Sequence, residues 1–329
     1  MTNDVGWVVK IDVHNHAMPE QALELLRREP VYGVTLSGRR WSGGKHVDFE
    51  IAPSFVEPEA KLDELRAKGL QAAVISVAPP LFYYHVDAGS GEAMARAAND
   101  GLAAFCAAAP DRLRWLATVP MQAPDRALAV LEEAVTAGCV GVEIGTAVVE
   151  RRLDEAEFEP FWAAAETLGL PVTLHPAYTE GINPALAPFY FENVLGFLLD
   201  TTIAIERLIC ARVLDRHPSL NLVLLHAGGF FPYQAGRLRH ARTVRPELAE
   251  APVDPWAYLD RLSFDIITHD RLALEYLVRR VGRDRVVLGT DLPFDMATPA
   301  PMELLHAAVD GETAREIAER NPAALYGFD

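Results

Sequence analysis

Short apolar runs rich in β-branched residues recur along the chain, separated by Ala-, Leu-, Glu- and Arg-rich segments with helical spacing. The runs predict strands at Val8–Val13, Ala73–Val77, Trp115–Val119, Val140–Gly145, Pro171–His175, Leu220–His226, Leu262–Thr268 and Arg285–Asp291. The spaced segments predict helices that include Pro58–Lys68, Glu92–Ala109, Pro124–Ala137, Glu157–Leu168, Thr201–Arg216 and Arg271–Arg280. Strands that alternate with helices imply parallel βαβ units. Eight of them point to a closed (β/α)8 TIM barrel in preference to an open doubly wound sheet. No linker divides the pattern, so residues 1–329 read as one domain. The stretch Pro30–Val56 breaks the alternation: it is rich in Gly, Ser, Arg and aromatics and reads as a long insertion after the first strand, on the barrel's catalytic face. The tail Met302–Leu325 carries two short helical patterns that close the barrel or pack outside it.

Composition narrows the function classes. With 329 residues, half of them hydrophobic and 23% charged, the chain can bury a sizeable core. Lys plus Arg number 30 against 46 for Asp plus Glu, a net charge of −16. Such a field repels phosphate backbones and anionic bilayers, which argues against nucleic-acid or membrane binding. A small acid remains an allowed substrate if a few local cations, arginines or a metal, hold it. Cys106, Cys139 and Cys210 match neither a disulfide framework nor a zinc ribbon and read as buried thiols of a cytoplasmic protein. No basic-then-apolar leader opens the sequence, and no apolar run reaches the roughly 18 residues that span a bilayer.

Candidate chemistry sits at the predicted strand ends. Ile11-Asp12-Val13-His14-Asn15-His16 closes the first strand, and histidines two apart on a strand project to one side, where both can reach one metal. His175 follows the fifth run, His226 the sixth and Asp291 the eighth. Each falls at the carboxyl end of a parallel strand, the rim where barrel active sites are built. Single buried histidines are usually satisfied core residues; four sites on one rim fit a metal centre better. Three imidazoles and a carboxylate, with one further histidine and no thiolate, suit Zn2+, with Mn2+ or another divalent transition metal as the alternative. Such a site lowers the pKa of a metal-associated water toward neutrality.

Together with these motifs, several blocks make the sequence similar to the amidohydrolase superfamily, in the branch of 2-amino-3-carboxymuconate-6-semialdehyde decarboxylase and related nonoxidative decarboxylases. They are Thr118-Val119-Pro120-Met121-Gln122-Ala123-Pro124, Gly141-Val142-Glu143-Ile144-Gly145-Thr146, Thr201-Thr202-Ile203-Ala204-Ile205, His226-Ala227-Gly228-Gly229, Gly236-Arg237, Arg245-Pro246-Glu247-Leu248 and Gly289-Thr290-Asp291-Leu292-Pro293-Phe294. The resemblance implies zinc on His14, His16, His175 and Asp291, with His226 as general acid/base and, in aromatic-acid relatives, Asp291 delivering a proton. It also implies that Arg237 reaches into a neighbouring subunit's site to bind a substrate carboxylate, and hence a homodimer. By pattern alone, Arg237, Arg239 and Arg242 fit a solvated helix face. Arg245 matches another family arginine at the interface or site.

Two positions depart from the family. Ala52 stands where a second substrate arginine is expected, and a methyl cannot replace a guanidinium clamp. Asn193 stands where a site tryptophan is expected. Arg39 or Arg40 of the insertion could supply a different cation or lie in solvent, and Tyr83, Tyr84 and His85 could touch substrate or pack under the insertion. The leading expectation is a metal-dependent decarboxylase of a small unsaturated or aromatic carboxylic acid. A hydrolase or hydratase using the same activated water is the alternative. A noncatalytic barrel is disfavoured, because it has no need of polar groups converging in a buried mouth.

Overall fold

The computed structural model describes residues 9–43, 48–177 and 184–328. Eight parallel barrel strands run through it: β1 (Ile11–Ala17), β2 (Ala72–Val77), β3 (Leu113–Trp115), β4 (Val142–Gly145), β5 (Val172–His175), β6 (Leu222–Leu224), β7 (Leu262–Asp265) and β8 (Val286–Val287). Each of the eight predicted runs overlaps a strand, the third, Trp115–Val119, only at Trp115; Val8 of the first lies outside the described residues. The strands pair in two sheets, β1-β2-β3 and β4-β5-β6-β7-β8. Hydrogen bonds cross both seams: Val13 N donates to Leu288 O at 2.9 Å, and Glu143 N to Ala117 O at 2.8 Å. With helices on the outside, this is the expected (β/α)8 barrel. Its strands are buried on both faces and read as nearly continuous apolar runs.

Helix boundaries follow local chemistry. Pro58 and Pro124 open the helices Pro58–Ala67 and Pro124–Thr136, where a missing N–H costs nothing. Asp87 and Asp270 accept first-turn amides of Ala88–Cys106 and Arg271–Val281. The single helix expected over Thr201–Arg216 is instead two, Leu198–Cys210 and Val213–Arg216, parted at Arg212, whose φ is 60°. Within the insertion, Val34–Ser37, Arg40–Gly43 and Phe49–Glu50 form a small antiparallel sheet. The tail folds as short helices. In the last, Asn321–Tyr326, Tyr326 joins Ile11, Val13, Ala72, Val74, Val223 and Val287 in the barrel's inner apolar cluster, and its hydroxyl meets Thr173 at 3.3 Å. Cys106 and Cys139 are buried, Cys210 is half-buried, and none of the three forms a disulfide among the described residues. No described helix is long and apolar enough to cross a membrane.

Candidate metal centre and active site

β1 sets the geometry of the site. Its pairing with β2 advances from Asp12↔Ala73 to Asn15↔Ile75, three residues against two, so β1 carries one extra residue between Asp12 and Asn15. Val13 therefore packs inward with Ile11, and His14 also turns inward, followed by His16. Asp12 and Asn15 turn outward, where Lys61 of an outer helix donates to Asn15 Oδ1 at 2.6 Å. His175 ends β5, and Asp291 follows β8 with a φ of 69°. One donor atom from each of His14, His16, His175 and Asp291 lies within 4.8 Å of the others, and all four residues are buried.

The donor chemistry fits a divalent metal. Nδ1 of His14 meets Asp265 Oδ2 at 2.7 Å, Nδ1 of His16 meets Ser76 Oγ at 3.0 Å, and Nδ1 of His175 is bonded to Pro176 O. These partners fix the rings and leave each Nε2 for a ligand. The three Nε2 atoms and Asp291 Oδ1 are buried without a hydrogen-bond partner, although His16 Nε2 and His14 Nε2 approach Asp291 Oδ1 at 3.1 and 3.4 Å. Four orphaned polar atoms in one spot would be costly in an apolar setting, and a cation satisfies all of them. Charge agrees. Burial lowers His16 to about 4, and burial with the neighbouring imidazoles holds His175 well below its ordinary value, so both present lone pairs. At His14 burial opposes the charged form, but the Asp291 and Asp265 carboxylates outweigh it and raise the group to about 10. Positive charge is favoured there. Burial likewise works against ionised Asp291, and His14, with further help from His16 and His226, holds it well below the usual carboxylate range.

His226 stands beside this set, its Nε2 3.6 Å from Asp291 Oδ2. It and Ala227 adopt φ of 52° and 57°, a left-handed pair that costs non-glycine residues about 1–3 kcal/mol each. Successive amides in such a turn form an anion-binding hollow. The buried Asp265 carboxylate fills it, accepting His226 N at 3.0 Å and Ala227 N at 2.7 Å while also holding His14. Gly289 permits this approach, because a Cβ there would lie 2.8 Å from the Asp265 Cβ and 2.9 Å from that of His14.

Asp265 was missed in the sequence, although it ends a barrel strand as the named residues do. Lys61 reads as a surface lysine in its helix; it is fully buried, donates to Asn15 Oδ1 and His16 O, and burial lowers it to about 8. Glu143, on β4, is buried with one oxygen unpaired.

A cavity of about 300 Å3 opens beside His226 and Asp291, walled by Phe197, Phe230, Ile267 and Met296. Asn193 lines it. Ala52 is half-buried ahead of the short helix Pro53–Val56. Arg39 pairs with Glu57 and Arg40 with Asp48 on the surface, so the insertion arginines are engaged away from the metal set. Tyr83 packs on Tyr32, ring centroids 4.8 Å apart, and Tyr84 Oη accepts Gly145 N; His85 is exposed. Arg237 is exposed on the helix Phe231–Val244 and does not line the cavity of its own chain. Arg245 pairs with Glu247.

The family model for amidohydrolases matches residues 11–328. The chain belongs to the amidohydrolase family. This amidohydrolase is 28% identical over 330 residues to the 2-amino-3-carboxymuconate-6-semialdehyde decarboxylase of Dictyostelium discoideum, covering 97% of this chain and 89% of the relative. It is 28% identical over 287 residues to the gamma-resorcylate decarboxylase of Rhizobium radiobacter, covering 82% and 87%. Among solved structures, apo Metarhizium anisopliae IDCase superposes with a TM-score of 0.84 at 24% identity over 97% of each chain. A manganese-bound 5-carboxyvanillate decarboxylase from Novosphingobium aromaticivorans superposes with a TM-score of 0.82 at 22% identity over 99% of each. These relatives are decarboxylases by name, and the solved structures share the fold.

Proposed function

We propose that this amidohydrolase, one catalytic unit over residues 1–329, is a metal-dependent nonoxidative decarboxylase of small unsaturated or aromatic carboxylic acids. The observation that carries the reading is the four-donor set with His226 beside Asp291 at an apolar cavity. We infer zinc on His14, His16, His175 and Asp291 from nitrogen and oxygen donors without thiolate; manganese, present in the carboxyvanillate relative, is the alternative. When bound, such an ion supplies positive charge that draws and orients a substrate's carboxylate.

The protein's own groups move the proton. His226 Nε2 stands 3.6 Å from Asp291 Oδ2 at the edge of the cavity, which places the imidazole to bring a proton to the substrate there. As the carbon–carbon bond breaks, carbon dioxide leaves, and the electron pair retained by the substrate carbon takes that proton. The apolar walls keep bulk water from competing for it. Arg237, exposed in its own chain, acts in the site of a second copy and binds the substrate carboxylate. In support, Tyr233 (81% exposed) and Val244 (59%) crowd the same helix with apolar surface suited to a homodimer. The free thiols fit a cytoplasmic location.

Incubating the metal-loaded protein with hydroxybenzoates, aminobenzoates and unsaturated ring-cleavage acids is expected to release carbon dioxide. Incorporation of solvent oxygen into product without release would overturn the reading in favour of hydrolysis or hydration. His226→Ala should cut turnover by at least about 100-fold while metal content stays nearly unchanged; loss of the metal would make His226 a ligand instead.

A further inference from the structure

The cavity has a polar end that neither the metal set nor the proton pair explains. Asn193, from the π-helix Glu192–Phe197, and His269, in the loop after β7, line it together with Thr268. The Thr268 hydroxyl is spent on Asp270 O at 2.9 Å. Asn193 and His269 make no side-chain hydrogen bond among the described residues. His269 is exposed and Asn193 half-buried, so both polar groups stand where the cavity meets solvent. No Lys or Arg is among the described residues lining the cavity.

We propose that Asn193 and His269 form a specificity subsite for a neutral hydrogen-bonding substituent, a hydroxyl or amino group, on an aromatic monocarboxylate. This deepens the decarboxylase reading and rests on it. The walls Phe197, Phe230, Ile267 and Met296 suit the faces of a ring. With its carboxylate toward the metal set, the ring presents its other substituents to the remaining polar lining. An amide can donate to or accept from a hydroxyl, and an imidazole can do either according to its tautomer. A second carboxylate there would find no lysine or arginine of this chain to pair with, whereas a hydroxyl finds both an amide and an imidazole. Recognition and reactivity coincide: hydroxyl and amino groups donate electron density to the ring and make the carbon that must accept the proton more basic.

The test is calorimetric binding to the metal-loaded protein, which needs no turnover. The probes are benzoate, the three monohydroxybenzoates and benzene-1,3-dicarboxylate. At least one hydroxybenzoate is expected to bind about tenfold more tightly than benzoate, the increment of one well-made hydrogen bond, and the dicarboxylate more weakly than that hydroxybenzoate. Asn193→Ala with His269→Ala should erase the tenfold advantage and leave benzoate affinity as it was, which also reports that the variant is folded. Equal binding of the dicarboxylate and the best hydroxybenzoate would overturn the subsite. So would an advantage that survives in the double variant, or no binding of any benzoate. Failure to release carbon dioxide from a hydroxybenzoate that binds with this discrimination would instead overturn decarboxylation and leave the subsite standing.

Discussion

Asp265 joins two tasks that a sequence presents separately. One carboxylate oxygen takes the His14 ring proton and the His226 amide, and the other takes the amides of Ala227 and Ile267. Replacing it by Asn turns an acceptor-only group into one that presents an N–H pair to these donors. Asp265→Asn should therefore weaken metal binding by about 10–100-fold, measured by chelator competition. Turnover at saturating metal should fall as well, because the His226 turn loses its anion. Unchanged metal affinity would remove Asp265 from the support of His14. Glu143 has a different signature: its ordinary value is 4.5, and burial pushes it up to about 8, against smaller opposing effects of His14 and Ser76. Between those values the unfolded chain gives up the proton and the folded chain keeps it. The stability this group contributes is thus full below about pH 4.5 and is lost as pH rises toward 8. Glu143→Gln should flatten the decline in melting temperature of the metal-free protein across that window; an unaltered slope would mean that the carboxyl is already ionised in the fold.

At the level of elements, the extra residue in β1 makes an unusual prediction. Removing Val13 leaves Ile11, His14 and His16 on the inner face and Asp12 and Asn15 on the outer one, with regular pairing to β2. Deletion of Val13 should keep more metal-binding capacity than deletion of Ile75, which throws Ser76 and its contact with His16 to the wrong side. Equal loss in both variants, read by metal content of the folded fraction, would contradict this. The barrel strands were legible in the sequence because burial on both faces concentrates β-branched residues into runs that Gly, Pro and helical segments bound. Their ends were less so: the run Leu220–His226 yields only Leu222–Leu224, since His226 and Ala227 leave the strand for a left-handed turn. The helix Glu20–Arg28 hid between the histidine motif and the insertion, whereas Phe231–Val244 showed in the sequence only as the solvated helix face of Arg237, Arg239 and Arg242, without its bounds. The strands of the insertion escaped because they are four residues or fewer and mostly exposed on one face. Histidines at strand ends are conspicuous. A buried Lys61 is not, because its burial is decided by Asn15 and His16 of a distant strand.

Across the whole molecule, the barrel's inner cluster depends on Tyr326, from the last described helix, lying against Ile11 and Val13 of the first strand. Tyr326→Ala should cost about 3–5 kcal/mol in denaturant unfolding, the usual toll of an aromatic cavity, and also strips Thr173 of its partner. A loss below about 1 kcal/mol would place Tyr326 outside the load of the core. The seam between β1 and β8 carries a consequence for the donor set. Asp12 accepts the amide of Thr290 across 278 positions of sequence, next to Asp291. The two histidines of β1 and the carboxylate beside them therefore share one site only where the first and eighth barrel strands are joined. A chain whose seam is open holds the imidazoles without their carboxylate, so the complete donor set exists only in the closed ring.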